Sequence, residues 1–210
     1  SDFRDLAADV LLPPECGELA MRTARHLQVV TSDGQPLENT CHHRSRDLLH
    51  LSKAGLTEVE EVFLQVFRRL CESLSSETEF GRRAAHELAD RELGKRNGLD
   101  LVGLTEALLY AIRTERCGDF SFMPTECPVC SRFLSEEESL TLNLLRAAQY
   151  DNDSALANQA QLMTAGGSAE STTIAALALG RFLRCVADLP VQSNEARSGQ
   201  TESLPLRNYD

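Results

Sequence analysis

The stretch Cys127-Pro128-Val129-Cys130 has the clearest capacity for chemistry in this sequence. Proline fixes one backbone angle and removes an amide donor. Two thiolates on so tight a turn can point at one ion, with the turn's amides facing their sulfurs. That is the geometry of half a structural zinc site. Cys117 is the nearest third donor, so three of the seven cysteines fall between 117 and 130. A closed site needs four donors, and no second CxxC is present. The fourth must come from farther away: Cys41, His42, His43, His86 or Cys71. The adjoining Cys41-His42-His43 group, in a polar stretch, is the most suggestive. The expected metal set is therefore Cys117, Cys127 and Cys130 with Cys41, His42 and His43, and the expected cofactor is zinc.

Other readings of the same cysteines compete with zinc. One is a reduced pair in a turn, with no metal. Another is a reversible disulfide, which the CxxC spacing also suits. The pattern Glu115-x11-Cys127-x2-Cys130 resembles part of the signature of the all-helical alkylhydroperoxidase-type disulfide reductases. The resemblance implies a thiol-disulfide oxidoreductase with Glu115 as base. That family carries a histidine four residues after the second cysteine, where this chain has Leu134, and the likeness covers only this stretch. Haem attachment would need a histidine at Ser131.

The elements that must position these residues read as helices. Thr57 with Glu60 forms a capping box, and Val59, Val62, Phe63, Val66, Phe67, Leu70 and Leu74 follow at three- and four-residue steps. This is the expected central core helix. A second capping box, Ser76 with Glu79, starts a charged surface helix to Leu93, with a thin apolar face of Phe80, Ala84 and Leu88. Gly94 or Gly98 ends it. Asp100 caps a helix to about Arg116. The run Phe120-Ser121-Phe122 suits a strand of a small hairpin. Ser135 with Glu138 caps a helix to about Tyr150, a shorter helix follows Asp153 to about Thr164, and the last spans about 169–187. Before Thr57, short helices fit residues 1–12, where Phe3, Leu6, Val10 and Leu11 recur at helical spacing, and 15–30. The segment from Leu37 to Gly55 is ambiguous and could hold a further short helix. No internal repeat is evident at this level.

Composition narrows the function classes. The chain has 210 residues, 42% of them hydrophobic, no tryptophan and 5% aromatics. Its core must be built mostly of leucine, alanine and valine, which favours helices. The net charge of −11 opposes general binding to nucleic-acid phosphates. The pairs Arg68-Arg69, Arg82-Arg83 and Arg44/Arg46 are interleaved with carboxylates and read as solvated helix faces. A regulator that places one Arg-bearing helix in a DNA groove is the residual nucleic-acid reading. No apolar run is long enough for a bilayer, and the start lacks the pattern of a secretory signal. An odd cysteine number without a disulfide framework suits a reducing compartment, the cytoplasm. Cys71 and Cys185 read as small buried residues within helices. Phosphate loops, nucleophile elbows and HExxH are absent.

The expectation is an all-α helical bundle of six to eight helices with a small Cys-containing turn or hairpin insert. Residues 1–187 form one helical domain, with sub-layers 1–116 and 131–187 joined by Cys117–Cys130, and 188–210 form a disordered tail. The expected function is non-enzymatic: a regulatory or scaffold protein with a structural zinc-like site that binds other proteins or a second copy of itself.

Overall fold

The computed structural model describes residues 21–23 and 48–188. In chain order the elements are β1 (Met21–Thr23), β2 (Leu49–His50), α1 (Glu58–Ser76), α2 (Glu79–Glu115), β3 (Phe120–Phe122), β4 (Phe133–Leu134), α3 (Glu136–Gln149), α4 (Asp153–Met163) and α5 (Glu170–Ala187). The helix expected at 1–12 and the tail beyond Asp188 lie outside the described residues, and the helix expected at 15–30 is corrected where the chain is described, because Met21–Thr23 is strand β1, paired with β3.

Helix starts follow local chemistry. The Glu60 amide donates to Thr57 Oγ1 over 3.2 Å, and the Thr57 amide donates to Glu60 Oε2 over 2.9 Å. Ser135 and Glu138 repeat this at α3, over 3.0 and 2.9 Å. The apolar stripe of α1 is buried as its period requires, through Phe63, Val66, Phe67 and Leu70. The expected box at Ser76 does not form. Glu77 takes a left-handed φ of 53°, so α1 runs on through Ser76 and Thr78 becomes the N-cap of α2.

The expected six to eight helices are corrected to five helical elements among the described residues. The reason is Gly94. Its φ of 78° and ψ of 157° lie in a region open essentially to glycine alone. The chain reverses there in one residue, and helix resumes at once instead of after a loop capped by Asp100. The two arms of α2 run antiparallel: Arg82 Nε meets Glu106 Oε1 at 2.7 Å. At Gly98 a Cβ would lie 2.7 Å from the Asp90 amide nitrogen. The first arm buries Gly81, Ala85 and Ala89, not Phe80, which is 74% exposed. Small residues win that face because the arm lies almost backbone to backbone on α1; a Cβ on Gly81 would sit 2.4 Å from the Arg69 carbonyl.

β3 forms where expected but in no hairpin. It pairs in parallel with β1, Met21 opposite Phe120, while β2 pairs antiparallel with β4. A strand and a 3-10 turn, Leu51–Lys53, replace the short helix considered before Gly55. One core gathers Phe67, Leu108, Phe120, Leu145, Ala160 and Leu179 from the five helices and β3.

The structure also exposes a repeat. Thr57–Leu70 and Ser135–Ala148 align without a gap, with Glu58/Glu136, Glu60/Glu138, Leu64/Leu142 and Arg68/Arg146 identical. The likeness continues in the backbone. α1, a left-handed Glu77 and the arms of α2 about Gly94 match α3, a left-handed Asp151 and α4–α5 about Ala165-Gly166.

Candidate functional site

Three features of the Cys127 turn fix its shape. The Cys130 amide donates to Cys127 Sγ over 3.3 Å, and the Ser131 amide donates to the Cys127 carbonyl over 3.0 Å. A 3-10 turn, Cys130–Arg132, follows. Cys130 is buried and Cys127 half-buried. The approach is tied to α1, because Thr125 donates its amide to Glu72 Oε1 over 2.6 Å. The exit is tied as well: Arg68 Nη1 donates to the Ser131 carbonyl over 2.8 Å and Nη2 to the Phe133 carbonyl over 2.6 Å.

Arg68 does more than hold that exit. Its Nε and Nη2 donate to the two carboxylate oxygens of Glu138 over 2.7 and 2.8 Å. Both side chains are fully buried. Glu138 also accepts the amides of Met123 and Ser135. Such saturation is what a buried ion pair requires, since a bare charge in the interior costs several kcal/mol (roughly 3–5 when one partner is removed). Its counterpart lies at the other end of the same helices: Arg146 donates through Nε and Nη2 to Glu60 over 2.8 and 3.0 Å. Each capping-box glutamate is thus gripped by the arginine of the other repeat. Burial raises the Glu60 carboxyl, but hydrogen bonds from Arg146 and Thr57 outweigh it and hold the group below its ordinary value. The sequence reading placed Arg68 on a solvated face; the signal it lacked is the shared pattern Thr57-x2-Glu60-x7-Arg68 and Ser135-x2-Glu138-x7-Arg146.

The expected metal donors are placed as follows. Cys117 is exposed, and its amide donates to the Thr164 carbonyl. Cys41, His42 and His43 lie outside the described residues. Among the described residues no three His, Cys, Asp or Glu side chains converge as a metal cluster. His86 is half-buried on the first arm of α2. Cys71 is wholly buried as expected, and burial, with the Glu138 and Glu72 carboxylates adding, pushes its thiol far up. Cys185 is exposed, contrary to expectation. Glu115, the base implied by the reductase resemblance, spends both oxygens capping α5, accepting the Ser171 and Thr172 amides over 2.7 and 2.8 Å. Of the arginine pairs, Arg68 is internal, Arg69 Nη1 donates to Gln65, and Arg82 pairs with Glu106. Arg44 and Arg46 are not among the described residues.

A concavity lies between the C-terminal half of α1 and both arms of α2. This cleft of about 490 Å³ has walls of Leu70, Leu74, Leu109 and Tyr110. Glu77, Glu79 and Arg113 also line it. The second repeat differs at the corresponding place. Ala148 replaces Leu70 there, and α5 comes so near that a Cβ on Gly180 would lie 2.6 Å from the Ala148 Cβ.

No family model, curated protein or solved structure matches this chain. Its fold and site define a small all-helical domain with a minor strand-and-turn insert. Among the described residues, no helix is long and apolar enough to cross a membrane.

Proposed function

We propose that this chain is a non-enzymatic scaffold or regulatory protein that acts by binding a segment of another protein in the α1–α2 cleft. One observation carries the reading. The cleft has buried Leu70 and Leu109, exposed Leu74 and Tyr110, and charged Glu77, Glu79 and Arg113 among its lining. That combination suits an amphipathic helix laid in a groove. Two carboxylates of this region are committed to structure: Glu115 to a helix cap and Glu138 to Arg68. A phage-displayed peptide library selected on the full chain tests the reading. Enrichment of one apolar-charged consensus, lost with Leu74→Glu, supports it. No consensus, or one indifferent to Leu74→Glu, overturns it.

We further propose that Cys127 and Cys130 supply half of a structural zinc site, completed by donors among Cys41, His42 and His43. Two facts support this. The Cys130 amide already faces the Cys127 sulfur, as a thiolate needs. The strands on either side of the turn, β3 and β4, pair with β1 and β2, the strands between which residues 24–47 are strung. Zinc would supply a Lewis-acid cross-link and fasten that segment to the helices, since the helices are already locked by Arg68 and Glu138. Native mass spectrometry should find one zinc per chain, absent in Cys130→Ser, which also melts lower. Metal-free protein with unchanged melting of Cys130→Ser overturns this part.

A further inference from the structure

We infer that the segment taken by the α1–α2 cleft carries a carboxylate, and that Arg113 is the residue that receives it. This rests on the cleft being the partner site proposed above and adds the chemistry of the partner. Three observations lead to it.

Both repeats finish their last arm on the same residues, Arg113-x2-Arg116-Cys117 and Arg181-x2-Arg184-Cys185. In the second repeat the two arginines turn to one carboxylate, that of the left-handed Asp151. Arg184 Nη1 meets it at 2.8 Å and Arg181 Nε at 3.9 Å. Arg184 Nη1 also donates to the Gln149 carbonyl over 2.6 Å, so this latch holds the last arm to the end of α3.

The first repeat does not make the latch. Arg116 is engaged elsewhere, donating to the Asp119 and Met163 carbonyls and to Glu137. Arg113 lines the cleft together with Glu77, the left-handed counterpart of Asp151. Yet among the described residues the Arg113 side chain enters no ion pair or hydrogen bond. It is half-buried. A guanidinium drawn partly out of water gains most from a carboxylate that accepts from both its prongs.

The rest of the lining says what else that carboxylate's owner must bring. Leu70, Leu74, Leu109 and Tyr110 need apolar cover, and the water such cover excludes strengthens the contact at Arg113. Glu77 and Glu79 stand in the same cleft, whereas Arg82 is already paired with Glu106. Two carboxylates disfavour a phosphorylated segment, with its roughly two negative charges. They suit a segment with a single Asp or Glu, apolar residues and a Lys or Arg.

The test starts from peptides selected on the full chain from a phage-displayed library, with affinity read by fluorescence anisotropy. The selected peptides should share an Asp or Glu among apolar residues, and its change to Asn or Gln should weaken binding about tenfold. Arg113→Gln should weaken the acidic peptide by the same factor and leave its amide version unchanged. Arg113→Glu should prefer a version with Lys at that place. Thermal melting is measured on each variant, and the change within the peptide needs no variant of the protein. Equal affinity for acidic and amide peptides, or an equal loss of both in Arg113→Gln, overturns the carboxylate anchor. If binding of those peptides is still lost in Leu74→Glu, the partner cleft stands without it. Peptides indifferent to Leu74→Glu, or none selected, overturn both.

Discussion

Arg68 and Glu138, seventy residues apart, meet in a two-pronged ion pair of 2.7 and 2.8 Å with no solvent access to either side chain. The pair joins the middle of α1 to the first turn of α3, and through the Ser131 and Phe133 carbonyls it also frames the Cys127 turn. The clasp between helical layers is therefore a guanidinium–carboxylate contact.

Breaking one side of this pair strands a buried charge. Glu138→Gln or Arg68→Met should each cost about 3–5 kcal/mol, read from urea unfolding. The double variant should cost less than the sum of the two, since it leaves no bare charge. Equal, additive losses below about 1 kcal/mol would contradict the arrangement. Arg68→Lys should behave nearly as badly as Arg68→Met, because an ammonium cannot make both prongs.

The Glu60–Arg146 pair makes stability depend on acid. Glu60 has its carboxyl held below the ordinary range in the folded chain. A depressed folded value contributes stability that is fully present above the unfolded carboxylate value, near 4.3, and is lost as pH falls through the folded one. Unfolding free energy measured from pH 6 downward should therefore drop faster in wild type than in Glu60→Gln, which starts lower and falls less steeply. Parallel curves would remove the pair from the acid response.

Two glycines of α2 should respond in opposite directions. Gly94→Ala forces a side chain into a φ of 78° with a ψ of 157°, at a cost of about 1–3 kcal/mol. Gly103 sits in the second arm with nothing within 4 Å of a Cβ. Gly103→Ala should raise stability by about 0.5–1 kcal/mol. Thermal melts of the two variants check both, and a stable Gly94→Ala would refute the one-residue reversal.

Glu115 distinguishes a cap from a catalytic base. Glu115→Gln should weaken the start of α5 by about 1 kcal/mol, seen as faster hydrogen exchange at Ser171 and Thr172. The rate at which Cys127 reacts with a disulfide reagent should not change. A slowed thiol reaction would return Glu115 to the reductase role.

The sequence shows what is local and hides what is mutual. Thr57 with Glu60 and Ser135 with Glu138 announce their helices because both partners lie within one turn. The box expected at Ser76 fails because Glu77 adopts a left-handed conformation, which glycine usually marks and glutamate does not. The buried face of the first α2 arm was misread because Phe80 outweighs Gly81, Ala85 and Ala89 on any scale of hydrophobicity, whereas close backbone approach to α1 admits only small residues. Arg68 and Arg146 each stand eight places beyond a glutamate in their own helix, too far to interact with it. Their partners emerge only when α1 and α3 are set antiparallel. The Cys turn was legible as a turn, but the expected Cys117 donor stands exposed at the end of α2, because the arms of α2 set where that helix stops.

The pairing of β1 with β3 carries a consequence for how the protein is made. Met21–Thr23 leave the ribosome about a hundred residues before Phe120–Phe122, their partner strand. At ordinary elongation rates that delay is roughly 5–20 s. Strand β1 must wait for that partner, while the first α1–α2 repeat can already close around Gly94. Strand β1 is thus seated well after it is made, and the newborn chain is open to chaperones and to strand-to-strand association during that interval.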